Sequence, residues 1–212
     1  MGPSGPPLLI VCALRMERFA LRGGGRARAA AGVSPRRAKG EGPPVVFVRT
    51  GMGPQAAERA VTEALRDPAL DGAPVLTTGF CAGLATGMRP GDVVVADGPQ
   101  DGATLAAALK AAGHTVHIGR LAESDHVVRG PERLALRSTG AIAVDMESAA
   151  MMRAALARGP RPVAAARVVV DTPEFELVRL GTLRTGITAF RVLRDLLPAF
   201  LDWHRSTALP WR

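Results

Sequence analysis

The 212-residue sequence predicts an α/β protein: one domain of three layers, α/β/α, around a central twisted sheet that is mixed but mostly parallel. Two observations predict it. Short apolar runs bounded by Gly and Pro alternate along the chain with segments of helical periodicity. Polar residues also collect where those runs end, at Arg49-Thr50, Thr77-Thr78-Gly79, Asp145 to Glu147, and Asp171. Parallel sheets bind ligands beyond the carboxyl ends of their strands, so these residues are the first candidates for a site. A chain of this length can bury most of its apolar surface in one domain. No internal repeat or break in composition marks a second one, so the expected unit is residues 1–212.

The elements follow in order. "LLIVCAL" (8–14) is a short apolar run after a Pro-rich start and reads as a buried first strand; residues 15–22 can form a helical turn. Residues 23–44 are rich in Gly, Pro and Arg and poor in large apolar residues, which predicts a loop with at most a poorly marked strand inside. "VVFVRT" (45–50) is a second strand. A Gly turn and a helix follow over 51–67. Pro54 suits the first helical position, where its missing N–H costs nothing, and Ala57, Val61, Ala64 and Leu65 recur at helical spacing. Strands are expected at 73–79, 92–96, 115–124, 141–145 and 161–171, and helices at 104–114, 131–140 and 146–159. Residues 183–206 read as one long amphipathic helix, interrupted or kinked at Pro198.

Composition narrows the partners. The formal charge is +8, and arginine supplies 25 of the 27 basic residues. Those arginines are scattered and aromatics are only 4%, so no basic stripe with a stacking platform exists and a nucleic-acid partner is not expected. Enrichment in Arg, Ala, Gly and Pro is what a GC-rich genome produces. A weak attraction to an anionic membrane surface is the residual reading of the charge. No apolar run reaches the roughly 18–20 residues that span a bilayer. "PPLLIVCAL" lacks a basic leader, and Pro6 stands where a myristoylation signal wants Ser or Thr. Cys12 and Cys81 both lie in apolar surroundings, which predicts reduced core thiols and a cytoplasmic location.

One motif competes for the site. "GMGPQA" (51–56) fits the dinucleotide pattern G-x-G-x-x-A, and Asp71 lies twenty residues after Gly51. Its context is wrong. The motif follows the second strand rather than the first, and Asp71 precedes the next strand instead of closing it. The glycine turn still offers backbone N–H groups to an anion or a hydroxyl.

Four segments, in order and spacing, resemble the superfamily of purine nucleoside phosphorylases and 5′-methylthioadenosine/S-adenosylhomocysteine nucleosidases. They are "VCALRMERFAL", "VRTGMGPQAAERA", "LTTGFCAGLATGMRPGDVVVAD", and "AIAVDMESAA" together with "ARVVVD". The resemblance implies the nucleoside phosphorylase-like fold, a homodimer, and neither cofactor nor metal. It implies that Glu147 accepts hydrogen bonds from ribose hydroxyls while Met146 packs against the sugar. An ionised carboxylate can take two donors in charge-assisted bonds, which suits that task. Local sequence alone leaves Glu147 equally able to favour the positive end of the following helix, and Asp145 reads as its cap or as a structural partner.

By the same resemblance, Asp171 protonates or hydrogen-bonds N7 of the departing purine. A carboxyl in a dry pocket can keep the proton it must donate. The Pro of "DTPEF" departs from the family at the following loop. Glu17 corresponds to the nucleosidases' second carboxylate, which orients and deprotonates a water on the opposite face of the ribose; an acid and a base on opposite faces is the logic of inverting glycosidases. The family's run of acids reads "RMER" here, and without the resemblance Glu17 is a solvated residue on a short helix. Thr78 and Gly79 belong to the central glycine segment that lines the substrate. "SDHVV" (124–128) resembles the segment that reads the purine edge, with Val127 where nucleosidases stack an aromatic on adenine. Phe80 stands where relatives have a small residue and can supply a replacement face. His126 reads as a local hydrogen-bonding residue.

The expected reaction is release of adenine from a 5′-substituted adenine nucleoside. Water is favoured over phosphate because the relatives' phosphate-holding positions are Thr77 and Phe80, only Arg15 and Arg49 are placed to face an anion, and Glu17 would repel one. The segment after "DVVVAD" is short, which opens the 5′ end of the site. Met16, Met52, Met88, Met151 and Met152 offer adaptable apolar surface, the last two more simply as helix core. The pattern is most similar to the hopanoid-associated branch, which converts adenosylhopane to ribosylhopane. Cleavage of methylthioadenosine or adenosylhomocysteine, phosphorolysis of a purine nucleoside, and a nucleoside-binding module without turnover are the alternatives.

Overall fold

The computed structural model describes residues 6–23, 44–98, 101–173 and 182–207. The loop expected within 23–44, the loop after Pro173, and the last five residues lie outside them. Seven strands are present among the described residues: β1 (Leu8–Cys12), β2 (Val45–Arg49), β3 (Val75–Gly83), β4 (Val93–Ala96), β5 (Val116–Glu123), β6 (Ala141–Asp145) and β7 (Val163–Asp171). The helices are α1 (Arg15–Gly23), α2 (Pro54–Ala64), α3 (Gly102–Ala111), α4 (Pro131–Ser138), α5 (Ser148–Leu156), α6 (Thr182–Asp195) and α7 (Leu197–Thr207).

The sheet order is β2-β1-β3-β6-β5-β4-β7, and β7 returns to pair with β3. Five strand pairs are parallel; β3–β6 and β4–β7 are antiparallel. The mixed, mostly parallel sheet is therefore as expected. Its closure was not. β3 lies between β1 and β7 along its first half, and its last two residues, Ala82 and Gly83, meet Val144 and Ala143 of β6. Strands β3, β6, β5, β4 and β7 thus close a ring, from which β1 and β2 extend.

The layering follows from the two-residue period of a strand. Leu8, Ile10 and Cys12 of β1 face α1, α3, α6 and α7, packing with Leu21, Leu105, Leu193 and Trp203. Leu9 and Val11 face the opposite way, toward Val61 of α2 and Met151 of α5. Both cysteines are free and buried, and burial pushes the Cys12 thiol up to about 12. Among the described residues no helix is long and apolar enough to cross a membrane.

Two boundaries differ from the sequence reading in ways that matter for the site. β3 runs four residues past Gly79, because β6 and β7 supply backbone partners where the glycines suggested a turn. The long C-terminal helix is two helices. α6 ends at Asp195, and Pro198 sits in the first turn of α7, where it has no intrahelical N–H to lose. The break lets α7 pack on α3 while α6 packs on α1.

Candidate active site

The strand ends gather around one cavity of about 840 Å³, with walls from α1, β3, β6, β7, α6 and the loop before α4. Glu17 enters it from α1, Glu147 from the junction of β6 and α5, and Asp171 from the last position of β7. All three carboxylates are buried.

Glu17 is held by backbone. Its Oε2 accepts from the N–H groups of Ala13 (2.9 Å) and Leu14 (2.8 Å), and its Oε1 accepts from Phe80 N–H at 3.0 Å. Burial pushes its carboxyl above the ordinary range, while Arg167 and the Leu14 and Phe80 amides pull the other way. Gly79 makes this packing possible. Its φ is +144°, and a Cβ there would lie 2.5 Å from both Glu17 Oε1 and Arg167 Nη1.

Glu147 Oε1 accepts from Gly53 N–H at 3.0 Å. The glycine turn that resembles a dinucleotide motif thus gives one of its amides to a side chain of the same protein. Glu147 occupies the N-cap position of α5 without a side-chain capping bond. The cap is Asp145, whose carboxylate accepts from Ser148 N–H at 3.2 Å, in line with its reading as cap or structural partner. Burial raises the Glu147 carboxyl, and the Gly53 amide opposes that rise.

Two arginines organise these acids, and neither was singled out from the sequence. Arg167, in the middle of β7, is completely buried. Its Nε lies 2.7 Å from Asp145 Oδ2, and its Nη1 donates to the Thr78 carbonyl at 2.7 Å. Arg133, on α4, lines the cavity, places Nη2 2.5 Å from Asp171 Oδ2, and donates from Nε to the Val128 carbonyl at 3.2 Å. A signal for Arg167 existed. An arginine inside the apolar run "VAAARVVV" needs a buried carboxylate, and Asp145 at the end of another strand was available. Arg133 gave none, because "PERLALRS" reads as a short surface helix.

Of the other expected residues, Met146, Phe80 and Val127 line the cavity. Thr78 and Gly79 do not. Thr78 is fully buried behind the wall with its carbonyl on Arg167, and Gly79 packs against Arg167 and Glu17. Arg15 and Arg49 also stay out of the lining, where the arginines among the described residues are Arg133, Arg191 and Arg194. The mouth is apolar: Met16, Met52, Val127 and Ile187 line it and remain exposed, and Phe19, 71% exposed, stacks on Phe190. His126 lines both this cavity and a smaller neighbouring one, with its ring nitrogens on Asp125 (2.7 Å) and Glu132 (3.0 Å). Among the described residues no cluster of three or more His, Cys, Asp or Glu could hold a metal ion.

Several solved structures share this architecture. The 5′-methylthioadenosine/S-adenosylhomocysteine nucleosidase of Neisseria meningitidis, in complex with methylthio-immucillin-A, superposes with a TM-score of 0.75 at 20% identity, covering 93% of this chain and 99% of that one. The corresponding Helicobacter pylori nucleosidase gives 0.72 at 16% identity, covering 94% and 99%. The futalosine hydrolase of Helicobacter pylori gives 0.72 at 16% identity, covering 92% and 97%. At these identities the likeness is one of fold. A comparison with curated protein sequences gives no match. The sequence profile of the phosphorylase superfamily matches residues 27–106 and 99–197, which together take in most of the chain and all but the first of the elements that build the cavity. With that match, and with the fold its solved relatives share, the chain belongs to the phosphorylase superfamily.

Proposed function

We propose that the protein is a nucleosidase that cleaves the N-glycosidic bond of a 5′-substituted adenine nucleoside by hydrolysis, releasing adenine. The observation that carries this reading is the convergence of Glu17, Glu147 and Asp171 on one cavity large enough for a nucleoside. Glu17 is the base: three backbone N–H groups fix its carboxylate, and it activates a water on the face of the ribose away from the purine. Glu147 accepts the ribose hydroxyls, exchanging or sharing the Gly53 amide, with Met146 against the sugar. Asp171 donates to N7, so the base leaves as a near-neutral species while positive charge builds on the ribose. Phe80 and Val127 offer the faces against which the purine packs. The buried carboxylate of Glu17 favours water over phosphate, because an anion beside it is repelled.

The mouth supports the finer reading, a substrate with a bulky apolar 5′ group such as adenosylhopane, converted to ribosylhopane. Met16, Met52, Val127 and Ile187 offer that group an adaptable surface, and Arg191 and Arg194 beside them suit transient contact with an anionic membrane surface. Methylthioadenosine or adenosylhomocysteine cleavage is the second reading, favoured by the fold shared with those nucleosidases.

Adenine release from a panel of 5′-substituted adenosines, with and without phosphate, tests the proposal. Turnover without phosphate is expected, with kcat/KM rising along a series of longer apolar 5′ groups. Asp171→Asn is expected to lose ~10²–10⁴ in kcat. An unimpaired Asp171→Asn enzyme, or turnover only with phosphate, would overturn hydrolysis by this acid.

A further inference from the structure

Arg133 belongs to no motif that the sequence offers, yet it makes two contacts at the base end of the cavity. Nε reaches the Val128 carbonyl, in the segment 124–128 that precedes α4, and Nη2 reaches Asp171 Oδ2 at the end of β7. Both Arg133 and Asp171 are 6% exposed. The third nitrogen, Nη1, is buried without an acceptor among the described residues. A guanidinium buried with so few partners is costly to keep for packing alone. A planar fork, however, can hold two acceptors on different elements in fixed geometry, which a flexible ammonium cannot do.

We infer that Arg133 is a positioning residue for Asp171: it fixes the carboxyl against the base-reading segment and makes it a stronger acid than burial alone would allow. This rests on the reading of Asp171 as the group that gives its proton to the purine. The bond broken is O–H on Asp171 and the bond formed is N–H at N7, so the carboxylate left behind carries the negative charge. Arg133 is already in place to hold that charge. The other charged or titratable groups that line the cavity among the described residues are Glu17 from α1, Cys81 from β3, Asp145 and Glu147 from the β6–α5 junction, His126 from the loop before α4, and Arg191 and Arg194 from α6. Arg133 itself is ion-paired to Asp171.

The test is the pH dependence of kcat/KM for adenine release by the full chain. A required proton on Asp171 places a falling limb on the alkaline side. A neighbouring cation favours the ionised carboxyl and holds that limb low; removing the cation lets burial push it up. Arg133→Gln is therefore expected to move the alkaline limb upward by about one pH unit or more. Arg133→Lys keeps the charge but cannot hold both acceptors, so it is expected to leave the limb in place and raise KM several-fold. An unmoved limb in Arg133→Gln, with Asp171→Asn inactive, would overturn the role of Arg133 alone. An active Asp171→Asn enzyme would overturn the functional reading instead. Should Arg133→Gln not fold, Arg133→Lys decides: a raised KM with an unmoved limb supports the inference, and wild-type KM or a shifted limb overturns it.

Discussion

Glu17 sits where burial opposes the Arg167 charge and the Leu14 and Phe80 amides, and burial prevails, so its carboxyl titrates above the ordinary glutamate value of 4.5. As the base of the proposed reaction it must be ionised. Activity is therefore expected to fall, as pH drops, through a limb that lies above 4.5, and a pH–rate profile reads it directly. Glu17→Ala is expected to abolish that limb and cost ~10²–10⁴ in kcat. Gly79→Ala drives a methyl group onto both the Glu17 carboxylate and Arg167. A loss of about 1–3 kcal/mol, read from the denaturant midpoint, is expected with a fall in turnover. At this scale the sequence is legible where a residue type recurs in a recognisable order: Glu17, Met146, Glu147 and Asp171 stand in such segments, and all four line the cavity. It is not legible for Thr78 and Gly79, which stand in the right motif but lie too early along β3: the cavity meets that strand only from Phe80 to Ala82. Arg133 escaped altogether, since its partners lie on other elements.

Among the elements, β7 carries the most. It closes the ring, ends in Asp171, and holds Arg167 at its centre. Arg167→Met leaves the Asp145 carboxylate buried without its cation. About 3–5 kcal/mol of stability is expected to be lost, and a second change, Asp145→Leu, is expected to restore part of it; urea unfolding of the single and double variants measures both. Every predicted strand among the described residues is present, because runs such as "LLIVC" and "VVVA" have no other way to bury both faces. The Pro198 break was legible too. The continuation of β3 through Phe80 to Gly83 was not: glycine and cysteine carry little strand preference, and the segment stays extended because β6 and β7 bond to it.

At the scale of the whole molecule, the mouth of the cavity joins side chains from α1, the loop before α2, the loop before α4, and α6. No local pattern announces such a surface. The sequence supplied only its ingredients, in scattered methionines and a short segment after β4. Ile187→Ser is expected to raise KM by roughly tenfold for substrates with a long apolar 5′ group, the order expected for losing one buried aliphatic contact, and to leave methylthioadenosine unaffected; a KM series across chain lengths checks it. The ring has a consequence for biosynthesis. Among the described strands β7 is the last to emerge from the ribosome, and it must slot between β3 and β4, both made long before it. Until then those two neighbours present unpaired backbone on the sides that await it. A chain interrupted ahead of Val163 would be left with this gap permanently open, and should collect in the insoluble fraction rather than persist as a shorter working protein.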